Sequence, residues 1–326
     1  VKFPLLLAQG AEGIAVGLST KILPHNFIEL INASIKHLKN KKFKLFPDFT
    51  TGGIADFTNY NDGKRGGKVR VRAKISVVDK STLLISELPF TTTTSSLIDS
   101  ILKANEKGKI KIKKIDDNTS SNVEILIYLP SGISPDKTID ALYAFTNCEV
   151  SISPLSCVIE NHKPCFMGVS EILIKSTNIT VDLLKKELEI KLGELEDQWH
   201  NFSLERIFIE NKIYRDIEKE DSWEGVLTAI KKGISPFTNN LKRNVNDDDI
   251  IRLTEIKIKR ISKFDINKAI ERIENLEILI SEVKQNLNNL IDFAIDYFER
   301  LKRDYSSEKS RKKEIKIFDD VDVKKV

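Results

Sequence analysis

The sequence predicts an α+β protein: a mixed-sheet first half, then a long antiparallel pair of helices with a small helical domain at its tip. Three observations carry this. From Val1 to about Val169 the chain holds most of its glycines and prolines, short apolar runs and period-two alternation, the marks of strands and turns. After about Ile179 glycine and proline nearly vanish and apolar residues recur at helical spacing. Two heptad-like series then flank a short segment with turn signals of its own, so the two series pair and the short segment closes them.

In chain order, the apolar run Phe3 to Leu7 leads into the glycine-rich stretch Gly10 to Gly17. A helix is expected over Phe27 to Leu38, capped by Asn26, and a second over about Ser95 to Ala104. The alternations Lys68-Val69-Arg70-Val71-Arg72 and Lys109-Ile110-Lys111-Ile112-Lys113 each predict a strand with one apolar and one basic face, and Val123 to Leu129 reads as a buried strand. In the second half, Leu184, Leu188, Leu192, Leu195, Trp199 and Phe202 form one seam. Leu276, Ile280, Val283, Leu287, Leu290, Ala294, Tyr297 and Leu301 form the other. Between them the sequence predicts a turn at Gly233 to Pro236 and an acidic loop, Asp247-Asp248-Asp249, before an apolar helix.

A chain of 326 residues exceeds the size of one growing core, so two or three structural units are expected. With 40% hydrophobic and 31% charged residues, disorder throughout is excluded. No apolar run approaches the roughly 20 residues that cross a bilayer, and Val1 to Leu7 is too short for a secretory signal, so a cytosolic protein is expected. Cys148, Cys157 and Cys165 are odd in number and lack the close pairing of a zinc site, which predicts reduced thiols. A net charge of +4 is too small for a whole-surface nucleic-acid argument and directs attention to local clusters. The first residue is valine and the only methionine is Met167, which reads as a piece of a longer chain.

Two stretches stand out. The glycines Gly10, Gly13 and Gly17 invite a phosphate-cradle reading, but their offsets are not those of the dinucleotide fingerprint. The competing reading is a tight turn with Ile14 in the core. Between Lys64 and Lys74 lie six basic residues, Lys64, Arg65, Lys68, Arg70, Arg72 and Lys74, with no acid among them. Lys68, Arg70 and Arg72 alternate and share a strand face, which suits either the phosphates of a duplex or a solvated outer surface. His25, His37, His162 and His200 show no metal spacing, and neither a P-loop nor a catalytic Ser, Cys or carboxylate arrangement is present, so the chain by itself reads as non-catalytic and without a bound cofactor or metal.

Taken together, Pro4-Leu5-Leu6-Leu7, Gly10-Ala11-Glu12-Gly13-Ile14-Ala15-Val16-Gly17 and Pro24-His25-Asn26 resemble the run that follows the cleavage domain in the A subunits of bacterial gyrase and topoisomerase IV. Phe46-Pro47-Asp48-Phe49, Thr51-Gly52-Gly53-Ile54, Gly66-Gly67-Lys68-Val69-Arg70-Val71-Arg72 and Glu87-Leu88-Pro89-Phe90 resemble that family's next landmarks, in the same order. Leu253 to Ile261 looks like the leucine-rich segment of its dimer gate, with isoleucine and lysine in place of many leucines and arginines.

The resemblance implies part of an enzyme that cuts one duplex, passes a second through the break and reseals it, with hydrolysis of ATP. It implies a tower domain over 1–169, an outgoing coiled-coil arm over 170–222, an exit-gate dimerisation domain over 223–264, a returning arm over 265–305 and a basic return segment over 306–326. Ile14 falls on the isoleucine that the family inserts between base pairs, and Lys21, His25, Lys64, Arg65, Lys68, Arg70 and Arg72 become DNA-binding candidates. The expected partners are double-stranded DNA, a second copy of the chain and the B subunit, which would carry Mg2+ and ATP in a cytoplasmic, nucleoid-associated assembly. The family's nucleophilic tyrosine belongs upstream of Val1, and none of Tyr60, Tyr128, Tyr143, Tyr214, Tyr297 and Tyr305 lies in a matching context. Two details depart from or qualify the pattern. Thr91 to Ser96 stands where the family usually has a basic residue, and Ala11-Glu12 leans toward topoisomerase IV. The alternative from another class is a non-enzymatic DNA-binding scaffold with a coiled-coil arm; a dinucleotide-dependent oxidoreductase is more distant.

Overall fold

The computed structural model describes residues 1–257, 263–305 and 310–319. The chain is α+β and divides into two compact units, Val1–Thr180 with the described part of Ile295–Val326, and Val181–Ala294. Among the described residues no helix is long and apolar enough to cross a membrane.

The first unit opens with α1 (Leu5–Gln9), the hairpin β1 (Ala11–Ala15) and β2 (Leu18–Ile22), and α2 (Phe27–Leu38). The run that opens the chain is helical rather than extended, with Leu7 buried and Leu5 and Leu6 facing out. α2 starts where its cap predicts: Asn26 Oδ1 accepts from the N–H groups of Ile28 and Glu29 at 3.0 and 3.2 Å. Then follow β3 (Ile54–Asp56), β4 (Val69–Arg72), β5 (Lys74–Asp79), β6 (Thr82–Glu87), α3 (Thr94–Glu106), β7 (Lys114–Asp117), β8 (Ile125–Tyr128), α4 (Pro135–Phe145), β9 (Glu149–Ile152), the hairpin β10 (Cys157–Glu160) and β11 (Lys163–Phe166), and α5 (Val169–Glu210).

The expected strand over Lys109 to Lys113 is absent. Gly108, at φ 68°, ends α3, with Gly108 N–H donating to Asn105 O and Lys109 N–H to Ala104 O at 2.9 and 3.0 Å. That helix-ending pair of bonds commits the segment, and Asn105 Oδ1 takes the Ile112 N–H at 2.9 Å, so the chain runs irregularly with Ile110 buried until β7 begins. α5 starts ten residues before the compositional change, because Asp62 caps it through the Ser170 N–H and hydroxyl and because Ile172, Leu173 and Thr177 are buried. Tertiary packing there overrides the weak helix preference of β-branched residues.

The rest of the chain supplies α6 (Tyr214–Ile217), α7 (Trp223–Ile234), α8 (Asp247–Thr254), α9 (Lys263–Asn288), α10 (Leu290–Tyr305) and β12 (Glu314–Ile315). One sheet has the order β12-β3-β4-β9, the other β5-β6-β8-β7, and all neighbours are antiparallel except β12 and β3. Leu30, Phe49, Val69, Val71 and Leu173 anchor a core on the first sheet. Leu83, Ile85, Leu97, Ile101, Ile125 and Ile127 anchor a second core, where α3 and α4 cover the second sheet. Each such side chain contributes about 1.5–3 kcal/mol through burial.

In the second unit Leu188, Leu195, Leu276, Ile280 and Val283 form one cluster with Leu192, Trp199 and Phe202 against it. The pairing is antiparallel: Phe202 meets Arg272, Trp199 Nε1 donates to Glu277 at 3.0 Å, and Lys284 bridges Glu196 at 2.8 Å. A separate core joins Leu204, Phe208, Ile230, Ile234, Ile250 and Leu253. Asp247 to Asp249, expected as a loop, form the first turn of α8, where carboxylates are favoured by the helix dipole and Asn246 completes a capping box with Asp249. The turn expected at Gly233 to Pro236 begins at Ser235, since α7 continues through Ile234. Residues 258–262 of the expected gate domain, and 306–309 and 320–326 of the basic return, lie outside the described residues.

Candidate nucleic-acid interface

The glycine-rich stretch folds as a hairpin, so the dinucleotide reading fails and the tight-turn reading holds in its turn but not in its buried Ile14. An antiparallel pair with Ala11 opposite Ile22 and Ala15 opposite Leu18 has no strand-to-helix turn to cradle a dinucleotide. Ile14 is 92% exposed and is not a core residue. Gly10 enters the hairpin at φ 72°, where a Cβ would lie 2.7 Å from the Ile22 carbonyl, and Gly17 takes the φ 74° position of the two-residue tip Val16-Gly17. Val16 at this tip is fully exposed as well, and no pattern in the sequence singles it out. Ile14 and Val16 thus leave an apolar tip that the fold does not bury.

The base of the hairpin is fixed. Lys21 N–H donates to Leu155 O at 2.7 Å and Leu155 N–H returns a bond at 3.1 Å. Thr20 Oγ1 donates to Leu155 O and accepts from the Cys157 N–H, both at 3.2 Å, while Ile22 and Leu23 are buried. Lys21 Nζ meets Glu12 at 2.8 Å.

His25 lies inside, 4% exposed. Its Nδ1 is 3.3 Å from Leu7 O and its Nε2 3.3 Å from the Tyr60 hydroxyl, which assigns the proton to Nδ1 and the Tyr60 O–H as donor to Nε2. Burial pulls its pKa down to about 4, so the ring is neutral at physiological pH. The expectation of a direct DNA contact by His25 is therefore corrected: its ring is buried against Leu7 and Tyr60 and has almost no surface to offer a phosphate.

The basic ribbon separates into two parts. Lys64, Arg65 and Lys68 are exposed on a loop shaped by Gly66 at φ 84° and by Gly67, where a Cβ would collide with the Tyr60 carbonyl. Arg70 and Arg72, on β4, both turn to Glu149 of β9: Arg70 Nε reaches Oε1 at 2.8 Å and Arg72 Nε reaches Oε2 at 2.6 Å. The Arg72 guanidinium also stacks over Phe318 at 4.2 Å and Tyr143 at 4.6 Å. Their charge is thus largely committed within the fold, chiefly to Glu149, which lies 77 or more residues away and which no local pattern reveals.

The exposed basic loop and the hairpin share one support. Leu155 pairs with Lys21, and the next residue, Ser156, donates its N–H to Gly63 O at 3.1 Å and its hydroxyl to the same carbonyl at 3.0 Å. Two exposed apolar side chains and three exposed cations are in this way fastened to a single segment of chain. Among the described residues no three His, Cys, Asp or Glu side chains gather as a metal site. Tyr60 is buried with its hydroxyl pKa raised, and Tyr143, pushed up to about 12 by burial, donates to Ala73 O at 2.9 Å.

A family model for the A subunit of DNA gyrase/topoisomerase IV matches residues 1–299. The chain is 38% identical over 325 residues to the DNA topoisomerase 4 A subunit of Borreliella burgdorferi, a match that takes in 100% of this chain and 52% of that protein. It is 25% identical over 303 residues to the DNA gyrase A subunit of Chlamydia muridarum, covering 86% of this chain and 36% of that one. For the DNA gyrase A subunit of Leptospira biflexa the identity is 26% over 309 residues, with 88% and 35% covered. The chain spans about half the length of the topoisomerase relative and about a third of the two gyrase relatives.

Proposed function

Since this chain belongs to the family of DNA gyrase/topoisomerase IV A subunits, we propose that it is the DNA-bending and dimerising part of the breakage-reunion subunit of a type IIA topoisomerase. The observation that carries this reading is Ile14, held almost fully exposed on a hairpin whose base is fixed and whose support also holds Lys64, Arg65 and Lys68. In this reading Ile14 enters a base step of the cut duplex and the three cations meet phosphates. Unstacking one step costs a few kcal/mol and bending the site about 1–6 kcal/mol. Burying one isoleucine returns only about 1.5–3 kcal/mol. The wedge therefore cannot bend DNA unaided, and the exposed basic loop supplies the remainder.

Residues 1–169 then act as the tower, 170–222 and 265–305 as the two strands of a coiled-coil arm, 223–264 as the exit gate through which two copies dimerise, and 306–326 as the return to the tower. The antiparallel ladder from Phe202 and Arg272 to Glu196 and Lys284 supports the arm. The nucleophilic tyrosine would stand on a preceding cleavage domain and Mg2+ and ATP on the B subunit, so this chain alone cuts no DNA while the assembly passes strands. The 38% identity to a topoisomerase 4 relative, against 25% to a gyrase relative, supports the topoisomerase IV branch. The family membership gives the scaffold alternative no support.

The test is Ile14→Ala in the full-length protein with its B subunit, with bending read by energy transfer across a short duplex. Three carbons lost from a buried wedge are worth about 2 kcal/mol, or about 30-fold in the ratio of bent to straight DNA. Cleavage should fall with bending, while thermal unfolding stays put because the side chain is exposed in the free protein. Unchanged bending and cleavage remove the wedge reading.

A further inference from the structure

The wedge hairpin carries one acidic and one basic side chain, Glu12 and Lys21, and its register sets them directly opposite each other. Lys21 Nζ donates to Glu12 Oε1 at 2.8 Å, with 29% of the lysine and 64% of the glutamate side chain exposed. Glu12 and Ile14 are two residues apart on β1, and Lys21 and Ser19, the partner of Ile14, are two apart on β2. The ion pair thus shares the face from which Ile14 projects and lies one pleat, about 7 Å, below it. The other face belongs to the body of the unit, through buried Ile22 and the bonds of Thr20 to Leu155 and Cys157. A duplex entered by Ile14 brings its flanking phosphates within a lysine's reach of the outer face. A carboxylate at that place occupies the one cation on the hairpin able to meet them.

Resting on the wedge reading above, we propose that Glu12 competes with DNA for Lys21: it holds the ammonium on the free hairpin and releases it to a phosphate as Ile14 enters the base step. Glu12 in this way sets how tightly, and with what salt dependence, the hairpin grips the duplex. The exchange is easy because Glu12 is mostly exposed and its carboxylate rehydrates when Lys21 leaves, the situation in which ion pairs are worth least. The hairpin does not need the pair to stay folded, since the backbone bonds between Lys21 and Leu155 and the burial of Ile22 already hold its base.

Glu12→Gln, Lys21→Gln and the double variant are compared in the full-length protein by anisotropy of a labelled duplex across a potassium chloride series. Glu12→Gln should bind up to about fivefold tighter at low salt, the range of an exposed ion pair. Its plot of log affinity against log salt should steepen, since in the parent, salt weakens the hold of Glu12 on Lys21 and offsets part of the fall. The steepening should be less than about 0.9, the increment for a whole phosphate contact. Lys21→Gln should weaken binding and abolish the effect of Glu12→Gln in the double variant. If Glu12→Gln binds more weakly, bends DNA less or keeps the parent slope, the pair is a brace or a bystander and the proposal is overturned. Ile14→Ala in the same assay keeps the two readings apart: if it loses bending while Glu12→Gln is silent, only the exchange fails, and if it bends DNA normally, the wedge itself fails.

Discussion

Changing Glu149 to glutamine tests which part of the basic ribbon holds the fold and which part is left for DNA. Both carboxylate oxygens are in use, Oε1 by Arg70 and Oε2 by Arg70 and Arg72. Glutamine keeps one acceptor and turns an NH2 toward guanidinium groups that are donors only, so one arginine loses its partner and both lose the compensating charge. Breaking a buried ion pair from one side costs about 3–5 kcal/mol. These side chains retain 12–21% exposure, and Arg72 keeps its contacts with Phe318 and Tyr143, so solvent screening lowers the figure to about 2–3 kcal/mol. Hydrogen exchange is the assay, because it reads each unit separately. Amides of β4 and β9 should lose protection by about 30- to 150-fold, and β12, joined to the same sheet, should follow. Amides of α7, in the other unit, should be unaffected. Unchanged protection in β4 and β9 combined with a steeper salt dependence of DNA binding would show that Arg70 and Arg72 serve phosphates after all.

Two further outcomes follow from the interior. The folded chain holds His25 at a pKa of about 4 against 6.5 when exposed. Its contribution is therefore complete above pH 6.5 and is lost as pH falls toward 4, where the unfolded chain binds a proton that the folded one refuses; the loss approaches about 3 kcal/mol. A His25 ring resonance that titrates near 6.5 in the folded protein refutes this. Ile230→Ala should cost about 2–5 kcal/mol within the core it shares with Phe208, Ile250 and Leu253. Both tryptophans, Trp199 and Trp223, lie in that unit, so the fluorescence transition reports it alone. No movement of that transition would mean that the cluster does not stabilise the unit.

What depends on near neighbours is legible in the sequence. The Asn26 cap and the heptad spacings of Leu188, Leu195, Leu276 and Val283 are local signals, and their helices and shared cluster are present. Lys109 to Lys113 mislead because period-two alternation says nothing about the helix that precedes it; Gly108 closing α3 decides the path. Asp247 to Asp249 mislead because acidic runs suit loops and helix starts alike, and only the Asn246 cap tells the two apart. At the candidate interface, six basic residues in one run suggest a single surface. Glu149 and Phe318 divide them, and these arrive from strands and segments far along the chain. The family resemblance makes His25 a candidate for DNA contact, whereas its burial against Leu7 and Tyr60 is a tertiary fact.

Ile14 shows why exposure, more than composition, argues for a role. At 92% exposure it gains almost nothing on folding, since it was equally wet in the unfolded chain. Its neighbour at the tip, Val16, is in the same position, and β-branched residues at a hairpin tip bring neither turn preference nor solubility. Stability alone would favour polar turn residues such as Asn-Gly at such a tip. The surrounding chain meanwhile holds this tip still, with Gly10 in a conformation closed to other residues and Thr20 and Lys21 bonded to Leu155. Rigid support beneath an apolar tip that the fold does not use suits a side chain whose partner is another molecule, and the exposed cations on the same support favour the DNA proposed for it.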